Sequence, residues 1–251
     1  MPDLFALTAI GGTFLIAGGV KGVIGLGLPT VSLALLSVLF DLPSAMALLL
    51  VPSFVTNLWQ GVVGGNGTAI LRRIWPFLIL ATGTVWIGAI ALRQVDLSLL
   101  SALLGLLLII YAGANLAGLR FTLTAAQDRW AGPLLGTVNG LLTGMTGSFV
   151  VPGVMYLQAL GLPRDMLIQA MGMLFTASTA ALAVALQRNA YLSPELGLMS
   201  LAAVPPAIIG MMAGQRLRRT LSEPLFRRTF FISLLILGAY IIVRALGGAG
   251  Q

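Results

Sequence analysis

The chain has 251 residues, of which 58% are apolar and 8% are charged, and its mean hydropathy is +1.02. Soluble domains carry roughly 25% charged residues, so these few charges could not cover a soluble surface. The apolar runs are about 15 to 25 residues long and lack the period-two alternation of barrel strands. The composition therefore predicts an all-α, polytopic helical membrane protein whose main surroundings are the lipid bilayer.

The same composition excludes several kinds of chemistry. The chain has no histidine and no cysteine, which removes the imidazole and thiolate ligands of most transition-metal sites as well as disulfides. Its net charge of +7 comes from arginines that lie mainly between apolar runs, where they indicate topology rather than nucleic-acid binding. We expect no metal, no cofactor, no catalytic residue and no nucleic-acid partner. The N-terminus lacks the basic region of a signal peptide, so we expect it to be retained.

Ten apolar segments follow one another along the chain: 4–20, 27–40, 43–63, 72–92, 97–118, 133–146, 148–160, 163–187, 195–215 and 224–246. The first, second, sixth and seventh have only about 13 to 17 residues, fewer than the ~20 that cross a bilayer. They form two pairs of short helices. A glycine-rich break separates the members of each pair, at Gly18 to Pro29 and at Gly140 to Pro152.

The pattern of short and long segments occurs twice. An offset of 120 places identical residues on one another: Gly27 on Gly147, Leu42-Pro43 on Leu162-Pro163, Met46 on Met166 and Thr56 on Thr176. We therefore predict two homologous transmembrane repeats, 1–118 and 132–251, joined by a cytoplasmic linker at 119–131.

Positive charge predicts how the repeats are oriented. Arginines mark cytoplasmic loops, and they follow the third segment in the first repeat (Arg72, Arg73) but the fourth segment in the second repeat. Loops 64–73 and 216–228 should thus face the cytoplasm, and loops 93–96 and 188–195 the outside. The repeats are then inverted. Each repeat contains about three full transmembrane helices and a broken or re-entrant pair that enters and returns.

The two breaks are the expected functional site. Glycine-interrupted helices at corresponding positions of inverted repeats are typical of a transporter site near the membrane midplane. We expect the helices that restart near Leu28 and Ser148 to direct their positive N-terminal ends at a shared anion. Lys21, the one lysine, should add a fixed charge. The alternative is that Lys21 extends from the end of a short helix to the membrane interface.

Neutral donors and glycines near the breaks complete this hypothesis. Single hydroxyl groups often bond within their own helix, and glycines spaced by four, as from Gly132 to Gly144, often mediate helix packing. As a set they indicate a polar cavity. The predicted substrate-binding residues are Lys21, Gly22, Gly25, Gly27, Pro29, Thr30, Asn57, Asn139, Thr143, Gly144, Gly147 and Ser148.

The acidic residues bear on the energetics. All seven lie at segment ends or in connections, so no proton relay is expected within a helix. An anion that leaves a cell with a negative interior gains about 2.3 kcal/mol per charge per 100 mV. Export could therefore run on voltage.

Two motifs resemble a known family. Lys21 to Pro29 (KGVIGLGLP) followed by Asp41-Leu42-Pro43, and Gly140 to Ser148 (GLLTGMTGS) leading to Val151-Pro152 and Leu160 to Pro163 (LGLP), are similar to the doubled signature of the TauE/SafE sulfite exporters, also called toluene sulfonate uptake permeases. The resemblance implies a multi-pass carrier of the bacterial inner membrane for sulfite, sulfoacetate or other sulfonates.

We therefore expect a transporter, more specifically an exporter of small sulfur-containing anions, that works by alternating access between the two breaks. An anion channel and an uptake permease for a small carboxylate or sulfonate stay open as alternatives, and so does a homodimeric assembly. A membrane-embedded enzyme is not expected, because the sequence shows no acid, base or metal-ligand cluster within the apolar segments.

Overall fold

The computed structural model describes residues 4–119 and 121–247; the outermost residues of both expected repeats and Arg120 of the expected linker lie outside this part. The described residues form twelve helices: α1 Leu4–Ile24, α2 Leu28–Leu39, α3 Leu42–Val62, α4 Gly67–Gly83, α5 Val85–Gln94, α6 Leu97–Leu116, α7 Ala125–Thr146, α8 Gly153–Ala159, α9 Arg164–Arg188, α10 Pro194–Ala202, α11 Val204–Leu217 and α12 Glu223–Gly247.

Six helical stretches of the described chain are long and apolar enough to cross a membrane: α1, α4 with α5, α6, α9, α10 with α11, and α12. Helix α3 is a seventh if its two parts, which meet at an angle of 44°, count as one span. Pro52, one turn after this bend, removes a helical hydrogen bond from α3. The predicted polytopic all-α class is confirmed.

The lengths of the paired helices differ from the prediction. Helix α1 has 21 residues and α7 has 22, and only α2, with 12, and α8, with 7, are short. Each long helix continues through its glycines because Gly18 and Gly140 pack against neighbouring backbone. Helix α7 also begins at Ala125, inside the expected linker. The second restart is at Gly153 rather than near Ser148.

Both pairs nevertheless return toward their starting point, as the charge pattern predicted. At the end of α2, Val38 and Leu39 line one surface groove together with Thr8 and Gly12 from the beginning of α1. In the second repeat, the N–H of Leu123, just before α7, donates to the carbonyl oxygen of Ala159 at 3.0 Å. Each pair is thus a hairpin.

The helices of the two repeats pack reciprocally. Helix α1 lies along α11, and α7 lies along α4 and α5, while α3 crosses α9 and α6 crosses α12. A methyl group on Gly22 would overlap the carbonyl oxygen of Met211, and one on Gly144 would overlap the carbonyl oxygen of Val85. The small residues therefore let backbones approach closely, which confirms the packing role predicted for the glycines of α7.

Corresponding contacts set the register between the repeats. A methyl group on Gly25 would lie 3.5 Å from Ile168, and one on Gly147 would lie 2.7 Å from Met46. Both pairs are related by an offset of 122, two residues more than the offset of 120 that the sequence suggested for Gly27 and Gly147. The exchange of partners is what a twofold relation between the repeats would produce. Their opposite orientation in a bilayer stays a prediction.

Candidate anion-binding site

Lys21 is buried in the last turn of α1, where only 4% of its surface is exposed. Its ammonium group donates to the hydroxyl oxygen of Thr56 at 3.2 Å and to the side-chain carbonyl oxygen of Asn57, both on α3. Both acceptors are neutral. The negative end of the helix dipole of α1 adds a favourable but partial charge. This position contradicts the alternative in which Lys21 extends to the membrane interface.

No carboxylate compensates this charge. The ion pairs of the described residues are Arg73–Asp128 and Arg164–Glu223, and neither includes Lys21. A buried charge without a counterion is expensive in an apolar environment. A bound anion would compensate this charge.

A cavity of 590 Å³ connects this group with the surface between α1, α3 and α11. Arg218 and Arg219, which directly follow α11 and are exposed, line its outer part. None of the lining residues is acidic. They are Lys21, Gly22, Gly25, Thr56, Trp59, Gln60, Val63, Ile168, Met211, Gln215, Arg218 and Arg219.

Asn57 offers a second donor beside Lys21. Its side-chain nitrogen Nδ2 is buried and has no hydrogen-bond partner among the described residues, while its carbonyl oxygen holds the lysine. The ammonium group has three N–H donors, of which Thr56 and Asn57 take two. One ammonium N–H and both amide N–H groups of Asn57 thus have no acceptor among the described residues.

A larger cavity, of 730 Å³, lies between the end of α6 and the beginning of α12. Its charged residues are Glu223, Arg227 and Arg228 in the first two turns of α12. Charged groups are common at the ends of membrane helices. None of the buried polar side chains lines it. We therefore take the cavity at Lys21 as the candidate site.

The predicted site residues of the second repeat form a separate group. The side-chain oxygen of Asn139 accepts from the N–H of Gly153 at 2.9 Å, and the hydroxyl of Thr143 donates to the carbonyl oxygen of Ser148 at 3.0 Å. These bonds hold the second break against α7. Asn139 Nδ2 and the hydroxyl oxygen of Ser148 have no partner among the described residues.

Three further predicted residues lie at the beginning of α2. Gly27 precedes α2 with a φ of 108°, a left-handed value that favours glycine, and a methyl group there would lie 3.2 Å from Val20. Pro29 occupies the first turn of α2, as expected, and Thr30 is buried beside it.

The structure thus brings Lys21, Gly22 and Gly25 together at one cavity, and Asn57 is buried beside it through its hydrogen bond with Lys21. Asn139, Thr143 and Ser148 form another cluster, and Gly144 and Gly147 pack against α5 and α3. Both breaks contact α9, at Ile168 for Gly25 and at Leu174 for Gly153, and a site shared between the breaks stays a prediction.

Sequence reasoning underestimated the outer part of the cavity. Arg218 and Arg219 were interpreted only as topology signals, and Gln215 and Trp59 carried no signal. Helical spacing could have found Gln215, since it lies four residues after Met211 on the face of α11 that meets Gly22.

The comparison with protein families assigns the chain. A model of the sulfite exporter TauE/SafE family matches residues 10–241, a range that contains every residue lining the Lys21 cavity. The chain belongs to the sulfite exporter TauE/SafE family. Comparisons with curated proteins and with solved structures gave no significant match. The TauE/SafE family consists of membrane transporters, so the sequence-based assignment to transport rather than enzymatic chemistry agrees with the family.

Proposed function

We propose that this protein exports small sulfur-containing anions, such as sulfite, sulfoacetate or other sulfonates, across a bacterial inner membrane by alternating access. The observation that carries the proposal is the burial of the Lys21 ammonium between neutral acceptors in a cavity that opens past Arg218 and Arg219.

The donor set suits an oxyanion. A free ammonium N–H and the unpartnered amide N–H of Asn57 lie on neighbouring groups, so they can bond two oxygens of one sulfite or sulfonate. Hydrogen bonds between charged groups are about twice as strong as neutral ones. A carboxylate also presents two oxygens, which makes a small carboxylate the closest competing substrate.

The position of the cavity favours export. Its mouth lies beside the loop 216–228, which the charge pattern places in the cytoplasm, so cytoplasmic anions would load there. Membrane voltage then supplies about 2.3 kcal/mol per negative charge per 100 mV in the outward direction. None of the acidic residues is among the buried polar groups of the described chain. Membrane voltage is therefore a simpler driving force for transport than proton coupling.

Transport of labelled sulfite by proteoliposomes tests the proposal. In Lys21→Met, which keeps much of the apolar stem, sulfite affinity should fall by roughly 5- to 150-fold, while the melting temperature stays near the wild-type value. Lys21→Arg should retain part of the affinity. The matched control is Arg93→Met. It removes an exposed charge that does not line the cavity, so sulfite affinity should be unchanged.

Two outcomes would contradict the proposal. Equal sulfite affinity in Lys21→Met and wild type would remove the ammonium from the site. Flux that does not saturate, without counterflow of labelled sulfite, would favour the anion channel.

A further inference from the structure

A second group of buried polar side chains occupies the place in the second repeat that corresponds to the Lys21 cavity. The paired contacts Gly25–Ile168 and Gly147–Met46 fix the offset at 122. With this offset, the three residues of the Lys21 hydrogen-bond group have counterparts on α7 and α9: Thr143 for Lys21, Ser178 for Thr56 and Thr179 for Asn57.

Two of these counterparts have unused hydroxyl groups. Ser178 and Thr179 are 0% and 1% exposed, and neither hydroxyl oxygen has a hydrogen-bond partner among the described residues. Hydroxyls in helices ordinarily bond a carbonyl one turn earlier. Thr176, on the same helix, does so by donating to Gly172 at 2.7 Å. The two unpartnered hydroxyls are therefore not explained by helix structure alone.

The second break packs against the same part of α9. A methyl group on Gly153 would lie 3.0 Å from Leu174, and the rings of Phe149 and Phe175 are 5.7 Å apart. Ser178 and Thr179 follow these two α9 residues by one turn, on the same faces. The break itself contributes the unpartnered polar atoms of Asn139 and Ser148. We call Asn139, Thr143, Ser148, Ser178 and Thr179 the second polar cluster.

Unpartnered groups concentrate at these two places. Eight buried side-chain polar atoms lack a partner in the described chain, and six belong to α3 beside Lys21 or to the second polar cluster. A native structure has few such groups, and each calls for an explanation. At Asn57, which bonds Lys21 beside the open cavity, the proposed function supplies one: an anion bound at Lys21. The same explanation applies to the second polar cluster in a conformation in which it is open.

We propose that the second polar cluster is a second, uncharged anion-binding position that opens when the Lys21 cavity closes. This rests on the proposed transport function. Hydroxyl and amide groups can donate to the oxygens of the anion, but Thr143 supplies no charge where the first repeat has Lys21. The second position should therefore hold the anion more weakly and favour its release.

Thr179→Val tests the binding role, because it replaces the hydroxyl by a methyl group of similar size. Sulfite affinity of the purified protein, which reports the Lys21 cavity, should stay within about twofold of wild type, while sulfite counterflow falls by about tenfold or more. The matched control is Thr176→Val, whose hydroxyl bonds its own helix and whose counterflow should be unchanged. Wild-type counterflow in Thr179→Val would overturn the proposal, whether the melting temperature rises or falls.

Cysteine accessibility tests the opening without any substrate, since the chain has no native cysteine. Gln215→Cys lies in the open cavity, and a charged thiol reagent should modify it from one side of oriented vesicles. Ser178→Cys should be modified from the opposite side, and more slowly with sulfite present. No modification of Ser178→Cys, or modification from the same side as Gln215→Cys, would overturn the proposal.

The two tests separate this inference from the proposed function. If wild-type vesicles do not transport sulfite but the two cysteines are modified from opposite sides, the substrate assignment is wrong and the second opening stands. If sulfite is transported and Lys21→Met loses affinity while Ser178→Cys is never modified, only the second position is wrong.

Discussion

Thr143 occupies in the second repeat the position that Lys21 occupies in the first. Each lies in the last turn of a long helix, and the carbonyl oxygen of each accepts a hydrogen bond of 2.8 Å from a glycine four residues later, Gly25 or Gly147. Both glycines have left-handed φ values, 79° and 74°, which end the helices. The same backbone conformation thus ends both helices, but only the first helix carries a charged side chain there. One repeat supplies the ammonium group, and the other supplies neutral donors.

The close helix crossings predict which glycines are essential for stability. In Gly22→Ala and Gly144→Ala, the added methyl group would overlap a backbone carbonyl of α11 or α5, which cannot move without separating the helices. Overpacking of this kind costs about 1 to 3 kcal/mol, so both variants should melt at lower temperature in detergent.

Gly113→Ala is the matched control for these two variants. Gly113 lies within α6, and a methyl group there would meet nothing within 4 Å. Alanine is favoured over glycine in helices by about 1 kcal/mol, so its melting temperature should stay the same or rise. Equal losses in all three variants would mean that the crossings are looser than the structure indicates.

Substitutions at the two breaks should lower the free energy of unfolding independently of each other. A side chain at Gly27 would meet Val20 and Phe230, whereas one at Gly147 would meet Met46 and Leu33. Because these sites share no neighbour, the losses of unfolding free energy in Gly27→Val and Gly147→Val should add to within about 0.5 kcal/mol in the double variant. Chemical denaturation of the four proteins measures this. A clearly smaller loss in the double variant would mean that the two breaks are coupled in folding.

Sequence alone predicted the helical membrane class and the returning hairpins, because apolar length and arginine placement depend on the bilayer rather than on detailed packing. The two inverted repeats stay a prediction. The sequence also selected Lys21 and Asn57, since a buried charge and a polar amide are rare in apolar segments. The sequence analysis misplaced the helix ends. It interpreted Gly18 and Gly140 as parts of helix breaks, whereas both glycines pack against neighbouring backbone within α1 and α7.

The partners of Lys21 could not be derived from the sequence in the same way. Its hydrogen bonds to Thr56 and Asn57 join residues 35 and 36 positions apart, and the cavity also needs α11 from the other repeat. The reciprocal packing of α1 on α11 and of α7 on α5 sets this arrangement. No local pattern in the sequence contains that information, so the expected site was placed between the breaks instead.

Labelling from one side tests the predicted orientation of the repeats. Thr68→Cys, in the first turn of α4, and Ser222→Cys, just before α12, are exposed positions expected in the cytoplasm. Gln94→Cys and Glu195→Cys are exposed positions expected outside. A membrane-impermeant thiol reagent added to intact cells should modify only the second pair. Modification of Thr68→Cys and Glu195→Cys from the same side would be incompatible with inverted repeats.

Arg218 and Arg219 should act mainly on the rate of anion entry and less on the rate of anion release. Both side chains are exposed at the mouth of the cavity, and Lys21 lies at its buried end. Exposed charges attract a ligand over a distance of about 10 Å at 0.1 M salt, and such steering raises association rates. In the double variant Arg218→Gln, Arg219→Gln, sulfite association should slow by about three- to tenfold at low salt, with a smaller change in dissociation. The difference from wild type should shrink as salt is raised.

Arg227→Gln, Arg228→Gln is the matched control, because it removes the same charge at the separate cavity beside α12. Stopped-flow binding across a salt series measures the rates, and equal slowing by both double variants would mean that net charge, not the mouth of the Lys21 cavity, steers the anion.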